Sequence, residues 1–385
     1  MKIAFVQGIY FPSPGGAQIQ GHNLANMLQE NDVEVDVYLF RKTNVRHNFY
    51  DIKYFNYYLT SFLYLFFLIF KHELVFLTKL YLKTILKEKK YDLWHFNFLN
   101  FKSLLIINAL KELGEKVIVT FQGADIQVNK EIFYGYRFNK NYSNLLLKSL
   151  KNIDQFIAIS QNIKKDLLNL DIPMKKILIL SNSVNLKKFE KILSRTKESK
   201  KIKLITVARF AEKKKGFDLI NNIIERLNQK KILYEWTIIG KNSHELSKYD
   251  LVKNNSEKFK LIEDIQKQDD NYFPSNKLIE YYKASDVYIN LARIESFGIT
   301  LIESLAARTP VVTFDTKGAN EIIKEDYNGN IIKINDFDSF VEKIKLYKEN
   351  QKELERIKKN CIKSVEVFDL TNNTHSLIKI YKRLI

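Results

Sequence analysis

Two doubly wound, Rossmann-like α/β domains in tandem are the fold class this sequence predicts, and three observations carry the expectation. Short apolar runs alternate with amphipathic helical stretches in two separate series. A polar, charge-dense segment without periodicity, residues 187–201 (KKFEKILSRTKESKK), lies between them. The length, 385 residues, allows two cores at about 150 residues per domain.

In the first series, residues 2–8 read as a strand, 17–30 as a helix and 34–40 as the next strand. Strands at 92–96, 116–121 and 155–160 continue it, and 176–180 closes it. These runs are rich in Val, Ile, Leu and Phe with little alternation, as strands covered on both faces require. The second series places strands at 202–207, 234–239, 286–291 and 310–314, with helices at 217–229, 277–284 and 300–307. Helical periodicity resumes at 336 and continues to about 367, and a last helix covers about 371–384. The expected division is a first domain at 1–186, a linker at 187–201, a second domain at 202–367 and a terminal helical segment at 368–385.

Composition narrows the function classes. Apolar residues at 45% and charged residues at 28% exclude a disordered or collagen-like chain. The single cysteine, Cys361, forms no internal disulfide and no thiolate zinc site, and suits a reducing compartment. The N-terminus lacks the long apolar run and small-residue cleavage site of a signal peptide, so the expected location is the cytoplasm. A net charge of +18 points to an anionic partner: nucleic acid, an anionic membrane face or a phosphorylated ligand. No nucleic-acid recognition module is recognisable, so no specific nucleic-acid partner is expected.

Residues 54–70 (YFNYYLTSFLYLFFLIF) are the longest uncharged run, only at the lower limit for a spanning helix. Between 53 and 90, seven lysines face two glutamates, Glu73 and Glu88, a net +5 beside an aromatic-rich surface. Three readings stand: a helix lying in the headgroup layer of an anionic membrane at its inner face, a core helix pair, and a true span.

The sharpest chemical signal follows the strand at 286–291: Ala292-Arg-Ile-Glu-Ser-Phe-Gly-Ile-Thr-Leu-Ile-Glu-Ser-Leu-Ala-Ala307. Glu295 precedes a strand-to-helix turn at Gly298 and Glu303 lies inside the helix, so the carboxylates are expected at opposite ends of one cleft. Between them, backbone N–H groups of Phe297, Gly298, Ile299 and Thr300 and the helix dipole make an anion site.

This stretch resembles the nucleotide-sugar site of glycosyltransferase family 4, a retaining family of GT-B fold, whose signature is Glu, seven residues, Glu, around an E-G-F-G turn. Here the turn is Glu295-Ser-Phe-Gly298, with Ser296 in place of the usual Gly. Ala306-Ala-Arg-Thr-Pro-Val-Val312 resembles the family's A-C-G-x-P-V-V, with Arg308 for Gly. Gly318-Ala-Asn-Glu321 and Tyr327-Asn-Gly-Asn330 resemble its G-G-x-x-E and N-G turns. Val207-Ala-Arg-Phe-Ala-Glu-Lys-Lys-Lys-Gly-Phe-Asp218 resembles its strand, Arg, loop, Lys-Gly segment, where Arg and Lys neutralise the donor diphosphate. Arg209 is clear; for the lysine, adjacency to Gly216 favours Lys215, with Lys214 as the alternative.

In the N-terminal half, Tyr10-Phe-Pro-Ser-Pro-Gly-Gly-Ala-Gln18 resembles the family's first loop, with Gly15 and Gly16 opening a helix. Val119-Thr-Phe-Gln-Gly-Ala-Asp125 resembles its H-G-x-D loop, with Gln122 where His is usual; an amide bonds a sugar hydroxyl but transfers no proton. Leu180-Ser-Asn-Ser-Val-Asn185 resembles its N-G-V-D turn, which suggests a structural role for Asn182. His95 ends a strand and is either an acceptor-side ligand or a satisfied core residue.

The resemblance implies two Rossmann-like domains facing across a cleft, with the terminal helix packing back on the first. It implies transfer of a sugar from a UDP- or GDP-sugar to a hydroxyl, by a hexosyltransferase that retains anomeric configuration and uses no cofactor. Glu303 is expected on the ribose and Glu295 on the donor sugar. Arg209, Lys215 and the Phe297 and Gly298 amides are expected on the departing diphosphate. Gln122 and Asp125 are expected to border a saccharide or lipid-linked saccharide acceptor of surface polysaccharide or lipopolysaccharide assembly. The alternatives are a sugar-nucleotide-binding protein without turnover and a GT-B epimerase. No metal is expected: the one Asp-x-Asp triplet, Asp336-Phe-Asp338, reads as a helix cap.

Overall fold

Parallel pairing organises the whole chain, seen in a computed structural model that describes residues 1–8, 15–43, 49–193, 199–263, 265 and 271–385. Residues 10–14 of the first loop and 194–198 of the expected linker lie outside the described residues. Two units result, Met1–Ser181 with Leu370–Ile385, and Asn182–Asp369.

The first unit holds β1 (Lys2–Gln7), β2 (Glu34–Leu39), β3 (Asp51–Tyr54), β4 (Leu93–Asn97), β5 (Val117–Phe121), β6 (Gln155–Ala158) and β7 (Ile177–Ile179), in the order β3-β2-β1-β4-β5-β6-β7. Phe5 of β1 stands opposite Val37 and His95. The second unit holds β8 (Ile202–Val207), β9 (Tyr234–Ile239), β10 (Phe259–Ile262), β11 (Val287–Asn290), β12 (Val311–Phe314) and β13 (Gly329–Ile332), in the order β10-β9-β8-β11-β12-β13. Leu204 stands opposite Trp236 and Val287. In each sheet the first strand is central and the chain winds outward on one side, then returns to the other. The crevice at that reversal, between β1 and β4 or between β8 and β11, is where doubly wound sheets bind ligands.

Ten of the thirteen strands among the described residues match the sequence reading to within a residue or two. β3, β10 and β13, absent from that reading, are all edge strands. β3 exposes most of its residues, and β10 is half-buried, so neither needs the continuous apolar run that marks a central strand. The expected linker is also corrected: residues Leu186–Lys191 form a helix of the second unit, capped by Asn185, with Phe189 buried. The stretch from 336 is two helices, Phe337–Glu349 and Gln351–Val365, because Asn350 leaves helical geometry and its side chain caps the second at Glu353.

The helix Leu370–Leu384 groups with the first unit and buries Leu370, Leu377 and Tyr381. Helices Tyr57–Phe70 and Val75–Glu88 both pack on the helix Phe101–Glu112. No described helix is long and apolar enough to cross a membrane.

Candidate active site

At the reversal point of the second sheet, the segments following β8 and β11 meet. Arg209, exposed, comes two residues after β8, and a single helical turn, Glu212–Lys215, follows. Gly216 ends that turn in the left-handed region, φ 68°. A Cβ there would lie 1.8 Å from the Leu291 carbonyl oxygen, so only glycine lets the lysine turn approach the end of β11 this closely. The Arg293 amide donates to the Lys214 carbonyl (3.1 Å), and its guanidinium donates to the Lys213 carbonyl (2.9 Å). The same guanidinium grips both Asp218 oxygens, at 2.5 and 2.8 Å. Pinned in this way, Lys215 places its Nζ 2.5 Å from Glu295 Oε1, both side chains largely shielded from solvent.

Lys214 shares this corner. Burial, helped by the positive charges of Lys215 and Arg209 and opposed by Glu295, pushes its ammonium down to about 7. Either lysine reading therefore ends in the same place. Two lysines and one arginine converge beside one carboxylate, an excess of positive charge suited to a polyanion.

Beyond Glu295 the chain turns at Gly298 (φ 107°) into the helix Ile299–Ala306, which no side chain caps. That leaves the positive end of the dipole on the same side of the sheet. Ser296 is half-buried and Phe297 is buried edge-on against Phe368, with ring centroids 5.4 Å apart. Gly318 donates its amide to the Glu295 carbonyl at 2.9 Å. Any Cβ on it would strike the carbonyls of Glu295 and Phe297, each at 2.6 Å. The Gly318-Ala-Asn-Glu321 motif thus braces the turn.

Glu303 is 2% exposed, and the Tyr282 hydroxyl donates to its Oε2 at 2.9 Å. Among the described residues Oε1 takes no such bond. Burial lifts this carboxyl to about 7. One helical turn away, the Tyr288 hydroxyl donates to the Val207 carbonyl at 3.2 Å and lies 2.9 Å from Thr300 Oγ1, whose hydroxyl can donate to it. Arg293, Asp218, Tyr282 and Tyr288 are the supporting groups the sequence reading missed. Arg293 and Asp218 stood inside quoted motifs, but nothing in the spacing showed that they pair.

In the first unit, Gly15 is the extended residue before the helix Gly16–Glu30, and Gly16 is exposed. Beneath them, Asn97 Nδ2 donates to the Ala17 carbonyl (3.0 Å) and to Gln7 (3.3 Å), and Gln122 donates to Asn97 Oδ1 (2.9 Å). Asp125 is fully buried, accepts the amides of Gln122 and Gly123, and is raised to about 6 by burial. It shapes the loop from inside, while Gln122 stays half-buried at its rim.

His95 corrects the acceptor-side expectation. The ring is fully buried, with Nδ1 2.5 Å from the Tyr381 hydroxyl and Nε2 2.8 Å from Thr120 Oγ1. Desolvation pushes it down to about 3, so it stays neutral and spends both nitrogens in the core.

The remaining motif residues are structural. Arg308 is exposed at φ 61°, where the usual glycine of that motif costs no strain. Asn328 is buried and bonds the Lys324 amide and the Ile322 carbonyl. Asp336 caps its helix at Ser339 (3.1 Å). Among the described residues no three His, Cys, Asp or Glu side chains gather as a metal site.

Comparisons with known proteins give the family and the fold. The model described as "Glycosyltransferase Family 4" matches residues 14–188, and the model described as "Glycosyl transferases group 1" matches residues 187–364. A 41.2 kDa protein from the cps region of Klebsiella pneumoniae is 28% identical over 202 residues, covering 50% of this chain and 51% of that one. The N-acetyl-alpha-D-glucosaminyl L-malate synthase of Bacillus anthracis is 23% identical, over 85% of this chain and 82% of its own. An amylovoran biosynthesis glycosyltransferase of Erwinia amylovora is 31% identical over 30% of this chain and 34% of its own. The chain thus spans about half, or a third, of the length of some curated relatives it matches. Among solved structures, HepE of Anabaena in complex with UDP and glucose superposes with a TM-score of 0.74 at 16% identity, covering 100% of both chains. With adjoining family models spanning nearly all of it and both sheets wound alike, this chain belongs to the group 1, family 4 glycosyltransferases of GT-B fold.

Proposed function

We propose that the protein is a retaining hexosyltransferase that moves a sugar from a nucleoside diphosphate sugar to a hydroxyl of a saccharide or lipid-linked saccharide. The observation that carries this is the Lys215–Glu295 contact at the reversal of the second sheet, with Lys214 and Arg209 beside it and an uncapped helix end following. In this reading the diphosphate lies on the two lysines, Arg209 and the amides of Phe297 to Thr300, where charge grows as it leaves. Glu295, released from Lys215 by the incoming phosphates, turns to the sugar hydroxyls. Glu303 takes the ribose diol through its open oxygen.

The step breaks the bond between the anomeric carbon and the diphosphate oxygen and forms one to the acceptor oxygen on the same face. The acceptor proton passes to the departing phosphate oxygen, so no protein nucleophile enters. In the first unit, Gly15 and Gly16 leave backbone open to a phosphate or an acceptor, and Gln122 offers an amide to the acceptor while Asp125 holds its loop. Names of relatives support a role in surface polysaccharide assembly, and solved relatives hold UDP with glucose or N-acetylglucosamine.

The test is a panel of UDP- and GDP-sugars read by saturation-transfer NMR and thermal stabilisation, followed by transfer assays on Glu295→Ala. One donor should bind, and the variant should lose transfer by about a hundredfold or more. Failure of every sugar nucleotide to bind would sink the reading. Donor binding without transfer by the wild type to any saccharide would favour a non-catalytic binder.

A further inference from the structure

The first unit carries an unpartnered aromatic face. The helix Tyr57–Phe70 contains no charged residue; it buries Thr60, Leu63 and Phe67 and turns Tyr58, Phe62, Leu65 and Ile69 outward, exposed by 84, 50, 55 and 69%. Those positions step by four, three and four residues, so they form one stripe along the helix. The neighbouring helix, Val75–Glu88, repeats the pattern with Phe76, Leu80, Lys83 and Lys87, apolar at one end and basic at the other. Phe76 is 74% exposed. Isolated exposed hydrophobics are ordinary; an exposed apolar stripe on one helix, followed by exposed Phe76 and Leu80 on the next, is not.

Charge decides what covers this face. Lys53, Lys71, Lys83, Lys87 and Lys90 are exposed around it. Of the two acidic residues in the region, Glu88 is exposed, while Glu73 is buried and bound to Lys148 and Asn108. A second copy docked through the same face would set lysines against lysines, because a two-fold interface meets itself. A bilayer with anionic headgroups meets both features at once: lysines reach phosphate while aromatic and aliphatic chains enter the acyl boundary. The helix has 14 residues, about 21 Å, too short to span a bilayer, so a bilayer would meet it along its length. A short polar site anchors the helix's first turn to the domain: Lys102 bonds Ser61 (2.9 Å) and Thr60 (3.3 Å) and sits over the Tyr57 ring.

We propose that the outward faces of helices Tyr57–Phe70 and Val75–Glu88 dock this protein onto an anionic lipid bilayer. The surface stands on its own geometry, and it deepens the proposed function by bringing a lipid-linked acceptor to the first unit.

Vesicle partitioning tests it without any donor, so its failure is separable from failure of the transferase reading. The full chain should sediment with phosphatidylglycerol–phosphatidylcholine vesicles and much less with phosphatidylcholine alone. The double variant F62S/I69S, unchanged in charge, should lower the partition coefficient by about tenfold or more. K83E/K87E should lower it by a similar factor. The emission of Phe62→Trp should shift to the blue on vesicles, against a constant background from the fully buried Trp94 and Trp236. If F62S/I69S lowers the melting temperature, Y58S/F76S, at the most exposed positions, carries the same reading. Three results overturn the proposal: no binding to anionic vesicles, binding by the apolar variants equal to wild type, or a vesicle-free dimer that those variants dissolve.

Discussion

Replacing Gly216 by alanine separates a generic backbone cost from damage to the site. The Cβ would stand 1.8 Å from the Leu291 carbonyl oxygen and 2.7 Å from its carbon. Real contacts of that kind begin near 3.0 Å, so the lysine turn and the end of β11 must part by about 1 Å or more. That displacement acts on the segment carrying Lys214 and Lys215 and on the segment leading to Glu295. Misplacing reacting groups by about 1 Å costs on the order of a hundredfold in rate. Left-handed geometry adds about 1–2 kcal/mol to folding for any residue with a Cβ. Gly114 is the internal control: its φ is 80°, yet a Cβ there meets nothing within 4 Å. Gly114→Ala should therefore lose only the backbone cost and keep full transfer, whereas Gly216→Ala should lose both stability and about a hundredfold in kcat/KM. The assays are thermal melting and initial-rate transfer with whichever sugar nucleotide the binding panel selects. Equal activity in the two variants would refute the claim that this contact sets the site.

Three further outcomes follow from the same residues. Glu303, raised from 4.5 to about 7, keeps a proton in the folded chain that the unfolded chain has released; its own contribution to stability is fully present below pH 4.5 and is lost as pH rises through 7, by about 3 kcal/mol in all. Glu303→Gln should flatten that slope, melt above wild type near pH 8 and bind donor more weakly; an unchanged slope in pH-dependent melting contradicts it. Burial lowers the Lys214 ammonium to about 7, and a diphosphate bound as proposed would restore its proton. Donor affinity measured by calorimetry should therefore fall by up to about tenfold per pH unit above 7, and Lys214→Met should bind weakly and without that fall. Arg293→Ala should unpin the lysine turn and lower kcat/KM by about tenfold or more, while destabilising a part-exposed pair by only about 1 kcal/mol. Arg293→Lys should recover little because it cannot grip both Asp218 oxygens. Normal kinetics in a destabilised Arg293→Ala would make the pair structural alone.

Central strands and the motifs that follow β8 and β11 were legible because each has a strong local signature: a continuous apolar run, or a glycine and a charge at a fixed spacing. Edge strands β3 and β10 were not, since exposed or half-buried strands need no such run; β13 is buried, but its Gly329-Asn330 start reads as a turn. His95 illustrates the limit for single residues. A histidine at a strand end looks the same whether it faces a ligand or a tyrosine 286 residues further along the chain.

Sequence alone determined the parallel α/β class, the pairing of an Arg–Lys–Lys segment with a Glu-x7-Glu segment, and the excess of lysine around an aromatic run. Those features depend on residue type and short-range periodicity. Only the tertiary structure decided that Lys215 lies against Glu295, that Arg293 holds Asp218, that Tyr282 seats Glu303, and that one side of the helix Tyr57–Phe70 is buried while the other stays open. Each of those contacts joins segments from different strands or helices. The distances that matter there are created by sheet order and helix packing, which no local pattern encodes.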